Sequence, residues 1–405
     1  MHIGIVGPIA TADVQHLLGG NANQLPLGYS GGPLLATLVG ELIARGHTVS
    51  AFTLSNDLPL RKDGSVVASG PNFSLTYVPM RPRAWQFNGW LLGRILDLYR
   101  FEIDGLKHAI LQANPDVLHA HWVYEFALAS LQTKLPHVVT CHDSPYTIAR
   151  LNSTSRPTRS LYRWLRVIMA LKTFNRVQCI TAVSPYMRDM VRSLTHVPIA
   201  VVPNPVDERA FGYANPRVTS ISPRIAMVCN GWVAWKNPQP GLLAFSQLLQ
   251  TMPLAELHLY GADFGPGQYA QTWCISKGIV KGMFFHGSIP HHLILNEMNN
   301  LDLLLHPSIE ESFGVVIAEA MAMGLPVVAG RTSGAVPWLV GDDACLCDIT
   351  DPSIITSSLL STLEPERYAD LSKRGIASMR RRFTTATVVD QFIRLYAQAI
   401  GRVGS

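Results

Sequence analysis

Glu311 and Glu319 stand eight residues apart in the stretch 307–329, where Glu-Ser-Phe-Gly is followed by an apolar run and then by Gly-Leu-Pro-Val-Val-Ala. Glu311 falls in a loop ahead of a helix, and Glu319 falls one to two turns inside that helix among apolar neighbours. A carboxylate is costly to bury there unless something binds it. Backbone N–H groups at the helix start, around Phe313, Gly314 and Val315, would face an anion. A helix start that can hold phosphate, flanked by two carboxylates that accept from sugar hydroxyls, fits a nucleotide-sugar site. The plainer alternative is a buried helix whose glutamates pair with arginines.

The elements that would position these groups follow from apolar patterning. Residues 301–305 form a short apolar run, as expected of a buried parallel strand. Pro307, Ser308 and Gly314 break it. The helix 315–323 is apolar all round, Gly324 suits its end, and Pro326 bars continuation. Earlier in the chain, strand 3–6 leads through a glycine-rich loop to Gly31 and Gly32. A helix follows with Leu34, Leu35, Leu38, Val39, Leu42 and Ile43 at helical spacing, giving a βαβ unit whose loop lies at the ligand-binding edge of an open α/β sheet. A Gly-Gly turn alone fits a tight turn with no ligand equally well. No G-x-G-x-x-G fingerprint is present, which disfavours a nicotinamide dehydrogenase. Strand 117–118 ends in His119-Ala120-His121-Trp122, and strand 138–140 ends in Cys141-His142-Asp143. Three histidines thus fall at strand ends, with Asp143 adjacent. His119 and His121 are read as pointing to opposite faces, so they are not expected to converge on a metal ion.

At 405 residues the chain is long enough for two domains. Hydrophobic residues make up 48% and charged residues 15%, which supplies large cores and argues against disorder. The net charge of +5 would suit anionic nucleotides or lipid head groups, and a solvated surface explains it equally well. The six cysteines are scattered without metal-site spacing, so reduced buried thiols in a cytoplasmic setting are expected. The chain enters a strand at once, so no signal peptide is read, and no apolar run approaches the ~20 residues of a membrane span. Aromatics and arginines interleave in 81–90 and again in 156–176, with Arg159, Tyr162, Arg163, Trp164 and Arg166. Such segments can lie at a membrane surface, hold an anionic acceptor, or simply be surface helices with one packed face. No continuous basic stripe points to nucleic acid.

The stretch 307–329, with its Pro-Ser, Glu-Ser-Phe-Gly, Glu-Ala-Met-Ala and Gly-Leu-Pro-Val-Val-Ala pieces, resembles the E-x7-E signature of retaining glycosyltransferases of family 4. The resemblance covers nearly the whole chain. It implies an α/β GT-B fold: two Rossmann-like domains facing across a cleft, 1–205 and 206–383, with a C-terminal helix in 384–405 crossing back to the first domain. Residues 208–223 would serve as the linker. It implies transfer of a sugar from a nucleotide sugar to a glycan, lipid-linked or small-molecule acceptor, with no divalent metal required and with peripheral membrane contact left open. In the family the first glutamate contacts the donor sugar and the second the ribose, roles that fall on Glu311 and Glu319. His121 would meet the donor sugar, with His119 packed behind it, and His142 and Asp143 would line the acceptor side. Gly31 and Gly32 would lie under the donor phosphates. The family's diphosphate clamp, a glycine and arginine followed by lysine, is matched by Gly231, Lys236 and Asn237, while Trp232 stands at the arginine position. Gly287 and Ser288 resemble the turn whose backbone reads the nucleotide base. Trp338 replaces a usual glutamate. Two rivals share these features: a nucleotide-sugar 2-epimerase of the same fold and a non-catalytic nucleotide-sugar-binding protein.

Overall fold

The computed structural model describes residues 1–19, 24–29, 31–61, 63–151 and 157–403. It divides into two compact units, Met1–Pro205 together with Thr385–Ser405, and Val206–Thr384. Arg156, the first residue of the segment 156–176, lies outside the described residues.

The first unit is built on eight strands: β1 (His2–Val6), β2 (Thr48–Ser55), β3 (Val66–Gly70), β4 (Phe73–Pro79), β5 (Val117–His121), β6 (His137–Cys141), β7 (Ile180–Ala182) and β8 (Ile199–Val201). Their order is β3-β4-β2-β1-β5-β6-β7-β8, parallel throughout except for β3 against β4. β5 and β6 are buried along their whole length, as parallel strands covered on both faces must be. The helix Pro33–Ala44 starts at the expected proline and buries Leu35, Leu38, Val39 and Leu42. The loop before it is not plain coil, because a short helix, Thr11–Val14, runs into a 3-10 turn, Gln15–Leu17. The helix Thr385–Val403 sinks Val388, Val389, Phe392 and Tyr396 into the same core, and Arg45 pairs with its Asp390.

The arginine-rich segment at 81–100 is partly structural. Arg81 is fully buried and its guanidinium is held by Glu102 at 2.6 Å and Asp97 at 2.8 Å. A buried guanidinium needs such partners.

The second unit has six parallel strands: β9 (Arg224–Val228), β10 (Glu256–Tyr260), β11 (Met283–Gly287), β12 (Leu303–His306), β13 (Val327–Gly330) and β14 (Cys345–Cys347). Their order is β11-β10-β9-β12-β13-β14. Residues 208–223, expected as a linker, are tied into this unit. They include the helix Glu208–Gly212, and Arg217 donates to the carbonyls of Asn299 and Leu301 at 3.1 and 2.7 Å.

Both sheets reverse direction once. In the second, the chain works outward from β9 to β11 on one side and from β12 to β14 on the other, so β9 and β12 flank a topological switch point. In the first, the switch lies between β1 and β5. Ligands of open α/β sheets bind outside the carboxyl ends of strands at such points. The segments after β9 and β12 carry Lys236 and Glu311, and those at the ends of β1 and β5 lead to the glycine loop and His121.

Candidate active site

In the second unit, β12 delivers His306 and the loop beyond it delivers Glu311. One oxygen of Glu311, Oε1, accepts from Lys236 Nζ at 2.6 Å and from His306 Nε2 at 3.0 Å. Burial pushes the Glu311 carboxyl up, but the His306 hydrogen bond and the Lys236 charge outweigh it and hold the group at about 2. Lys236 reaches this point from a short 3-10 helix, Ala234–Lys236. Asn237 follows it, and its amide nitrogen donates to the carbonyls of Pro307 and Ile349, so its donors hold the loop against the strand ends.

Gly314 opens the helix Val315–Ala322 at φ 98°, a backbone conformation that favours glycine, so the residue at the cap position has no side chain. Phe313 beneath it is buried against Phe383 and Trp338. Glu319, 2% exposed, accepts from His291 Nε2 at 2.7 Å. Burial lowers the His291 pKa, and the Glu319 hydrogen bond and charge, with Asp207, more than reverse it. The glutamates are therefore paired, as the plainer alternative required, but with lysine and histidine in place of arginine. Neither His291 nor His306 was singled out from sequence. No motif spacing links His291 to Glu319, and His306 reads simply as the end of an apolar strand.

Gly231 stands at φ 99°, and the Trp232 indole packs on Tyr269, Trp273 and Phe264 at centroid distances of 5.1, 5.4 and 5.9 Å. Gly287 uses its own N–H on Phe264 and its carbonyl on Gly261, so the turn is closed by backbone bonds and Ser288 is left exposed. Trp338 lies against Phe383 and under Arg382.

In the first unit, His119 and His121 share one face of β5, with ring centroids 4.0 Å apart. The expectation of opposite faces was mistaken, because side chains alternate along a strand and residues two apart align. They differ in hydrogen bonding instead. His119 is sealed, with Nδ1 on Tyr396 and Nε2 on Thr140, both at 2.7 Å. His121 shares a 2.9 Å bond between its Nδ1 and His142 Nε2, while its buried Nε2 has no partner. Burial drives all three imidazoles down, His119 and His142 to about 3, so each is neutral. Among the described residues no group of three histidine, cysteine or acidic side chains is placed to hold a metal ion.

Asp143 accepts from the Tyr124 hydroxyl at 2.8 Å and lines a cavity of about 220 Å³ together with Gly31, Tyr29, Tyr124, Arg163 and Arg166. Gly32 beside it is required by close approach, since a Cβ there would sit 2.5 Å from the Pro8 carbonyl oxygen. Tyr29 and Tyr124 carry no sequence signal of their own.

Comparison with known proteins agrees with this architecture. Residues 33–210 match Glycosyltransferase Family 4, and residues 222–364 match Glycosyl transferases group 1. A D-inositol 3-phosphate glycosyltransferase of Corynebacterium efficiens is 29% identical over 171 residues, 41% of this chain and 40% of that protein. An N-acetyl-alpha-D-glucosaminyl L-malate synthase of Bacillus anthracis is 24% identical over 70% of this chain and 74% of that protein. Among solved structures, sucrose-phosphate synthase from Thermosynechococcus elongatus superposes with a TM-score of 0.73 at 17% identity, covering 99% of both chains. With two parallel-sheet α/β domains of the GT-B type and both halves matched, the chain belongs to the family 4, group 1 glycosyltransferases.

Proposed function

We propose that this enzyme transfers a sugar from a nucleoside-diphosphate sugar to a hydroxyl acceptor with retention of anomeric configuration. The observation that carries the reading is the cluster of Lys236, Glu311 and His306 at the β9/β12 switch point, beside a helix that starts at Gly314. Lys236 and the N–H groups of that helix would hold the diphosphate, since preorganised positive groups act where leaving-group charge develops. Lys236 and His306 both bind Oε1 of Glu311, which leaves Oε2 to orient a sugar hydroxyl. Glu319, held by His291, would take the ribose. His121 would offer its free Nε2 to the sugar. In the transfer the bond from the anomeric carbon to the phosphate oxygen breaks, the acceptor oxygen bonds on the same face, and its proton passes to the departing phosphate. No dedicated base and no divalent metal are needed.

The aromatic packing of Trp232 and Trp338 accounts for both departures from the family pattern as structural substitutions, which favours an enzyme over a non-catalytic binder. The relatives named above are transferases and synthases, which favours transfer over 2-epimerisation. The acceptor is a glycan, a lipid-linked sugar or a small molecule, in a cytoplasmic setting. No described helix is long and apolar enough to cross a membrane. Phe87, Trp90, Leu92 and Leu96 are exposed, as are Leu161, Trp164 and Ile168, an apolar surface that supports peripheral contact with lipid.

The test is a thermal-shift series with UDP-, GDP- and ADP-sugars, followed by NMR of the product's anomeric configuration. A donor-dependent rise in Tm and a retained configuration are expected. No shift with any of the three, or an inverted product, overturns the reading. Unchanged turnover after treatment with a chelator checks the metal statement.

A further inference from the structure

The cavity of about 220 Å³ in the first unit is lined by two arginines, Arg163 and Arg166, and two carboxylates, Glu125 and Asp143, which are not all paired with one another. Glu125, with a side chain 3% exposed, is committed to Arg166 at 2.9 Å, and the Arg166 guanidinium also lies 3.9 Å over the Tyr124 ring. Arg163 is one turn earlier on the helix Pro157–Phe174 and lines the same cavity. Its Nε is buried and has no hydrogen-bond partner, and among the described residues it forms no ion pair. Its cationic group lies 5.7 Å over the Tyr162 ring, which does not satisfy an N–H donor in the guanidinium plane. A buried donor left unmade costs free energy, more so when it is charged. Asp143 lines the same cavity: its Oδ1 accepts from Tyr124, and it feels the charges of Arg166 and Arg163 without forming an ion pair with either. The space therefore presents one guanidinium in need of an acceptor and one carboxylate that can accept from a hydroxyl.

We propose that this cavity binds the acceptor through an anionic group, a phosphate or a carboxylate, held by Arg163, with a nearby hydroxyl of the same molecule on Asp143. Arginine presents its donors in a planar fork that matches both oxyanions. The volume lies below the ~300–1,000 Å³ usual for larger ligands, which suits a single small polar unit. The word acceptor rests on the proposed sugar transfer, whereas the anion preference rests on the cavity alone.

The experiment is calorimetric titration of the full chain with glucose 6-phosphate, malate and glucose. The two anions should bind about tenfold or more tighter than glucose, as one charge-assisted hydrogen bond implies. Whichever of them binds better identifies phosphate or carboxylate as the preferred group. Arg163→Gln should abolish the preference while leaving any glucose binding unchanged, and Arg163→Lys should restore part of it. The proposal is overturned if wild type shows no anion preference, if none of the three binds, or if Arg163→Gln keeps the preference. The thermal shift with nucleotide sugars, run on the same variant, should match wild type and shows that the second unit is intact. Absence of that shift in both proteins would sink the sugar-transfer reading and leave the anion result standing.

Discussion

Lys236 and Glu311 form a 2.6 Å ion pair in which the lysine meets only one carboxylate oxygen. A diphosphate that takes Lys236 must share it with Glu311, and a sugar hydroxyl that takes Glu311 meets a carboxylate already part-neutralised. The two proposed roles are therefore coupled, and substitution at either residue is felt at the other.

Glu311→Gln should separate them. The amide keeps its shape and removes the charge that competes for Lys236. Free nucleotide should bind as tightly as in wild type or more tightly, measured by calorimetry. Turnover should fall about 10- to 100-fold, the equivalent of one charged hydrogen bond worth roughly 1.5–3 kcal/mol. Nucleotide affinity falling in step with turnover would contradict the division of labour between Lys236 and Glu311.

Glu319→Ala should weaken free nucleotide and donor alike by roughly 1.5–3 kcal/mol, if the carboxylate accepts from the ribose. The His291–Glu319 pair adds a pH dependence to stability. The folded pKa of His291 is raised, so its contribution is fully present below the unfolded value of about 6.5 and is lost as pH rises through the folded value. The Tm difference between wild type and His291→Gln should shrink from mildly acidic to alkaline pH. A difference that grows with pH would show that the histidine is neutral in the fold.

His119→Ala and His121→Ala should fail in different ways. His119 closes two 2.7 Å bonds within the core, so its loss leaves the Tyr396 hydroxyl without its partner and Thr140 with Thr181 alone, and should cost about 1–3 kcal/mol of stability. His121 has a free Nε2 beside one bond to the buried His142, so its loss should cost less stability than that of His119 and should lower turnover more. Denaturant melts and initial rates on the two variants decide it. Turnover no lower in His121→Ala than in His119→Ala would make His121 a second packing residue.

The second unit's site was more legible in sequence than the first's. Glu311, Gly314 and Glu319 lie within nine residues, where local turn and helix chemistry fixes their spacing and register. Their partners were not legible. His306 and His291 reach the glutamates through strand order and helix packing, which no local pattern encodes. In the first unit, the strand-end histidines could be placed from the apolar runs before them. The face shared by His119 and His121 also follows from strand alternation, so that error lay in applying the period and not in the sequence. What separates the two histidines is Tyr396, 277 residues away from His119, and that contact exists only once the C-terminal helix is in place.

Trp232→Arg tests whether the loop after β9 can be returned to the family's diphosphate clamp. The indole packs on Tyr269, Trp273 and Phe264, and the backbone N–H of Trp232 donates to Asp263 at 2.9 Å. Each aromatic contact of this kind is worth roughly 0.5–1.5 kcal/mol beyond area burial. An arginine placed here would either lie among three rings or leave them open to water, and its backbone would still direct the side chain along the path the indole takes. Phosphate charge would remain with Lys236 and the helix start at Gly314. The variant should therefore melt at a lower temperature, by the equivalent of about 1–3 kcal/mol, and should bind nucleotide sugar no more tightly than wild type. Tighter binding at an unchanged Tm would mean that the aromatic cluster is dispensable and that the side chain at 232 can swing toward Lys236.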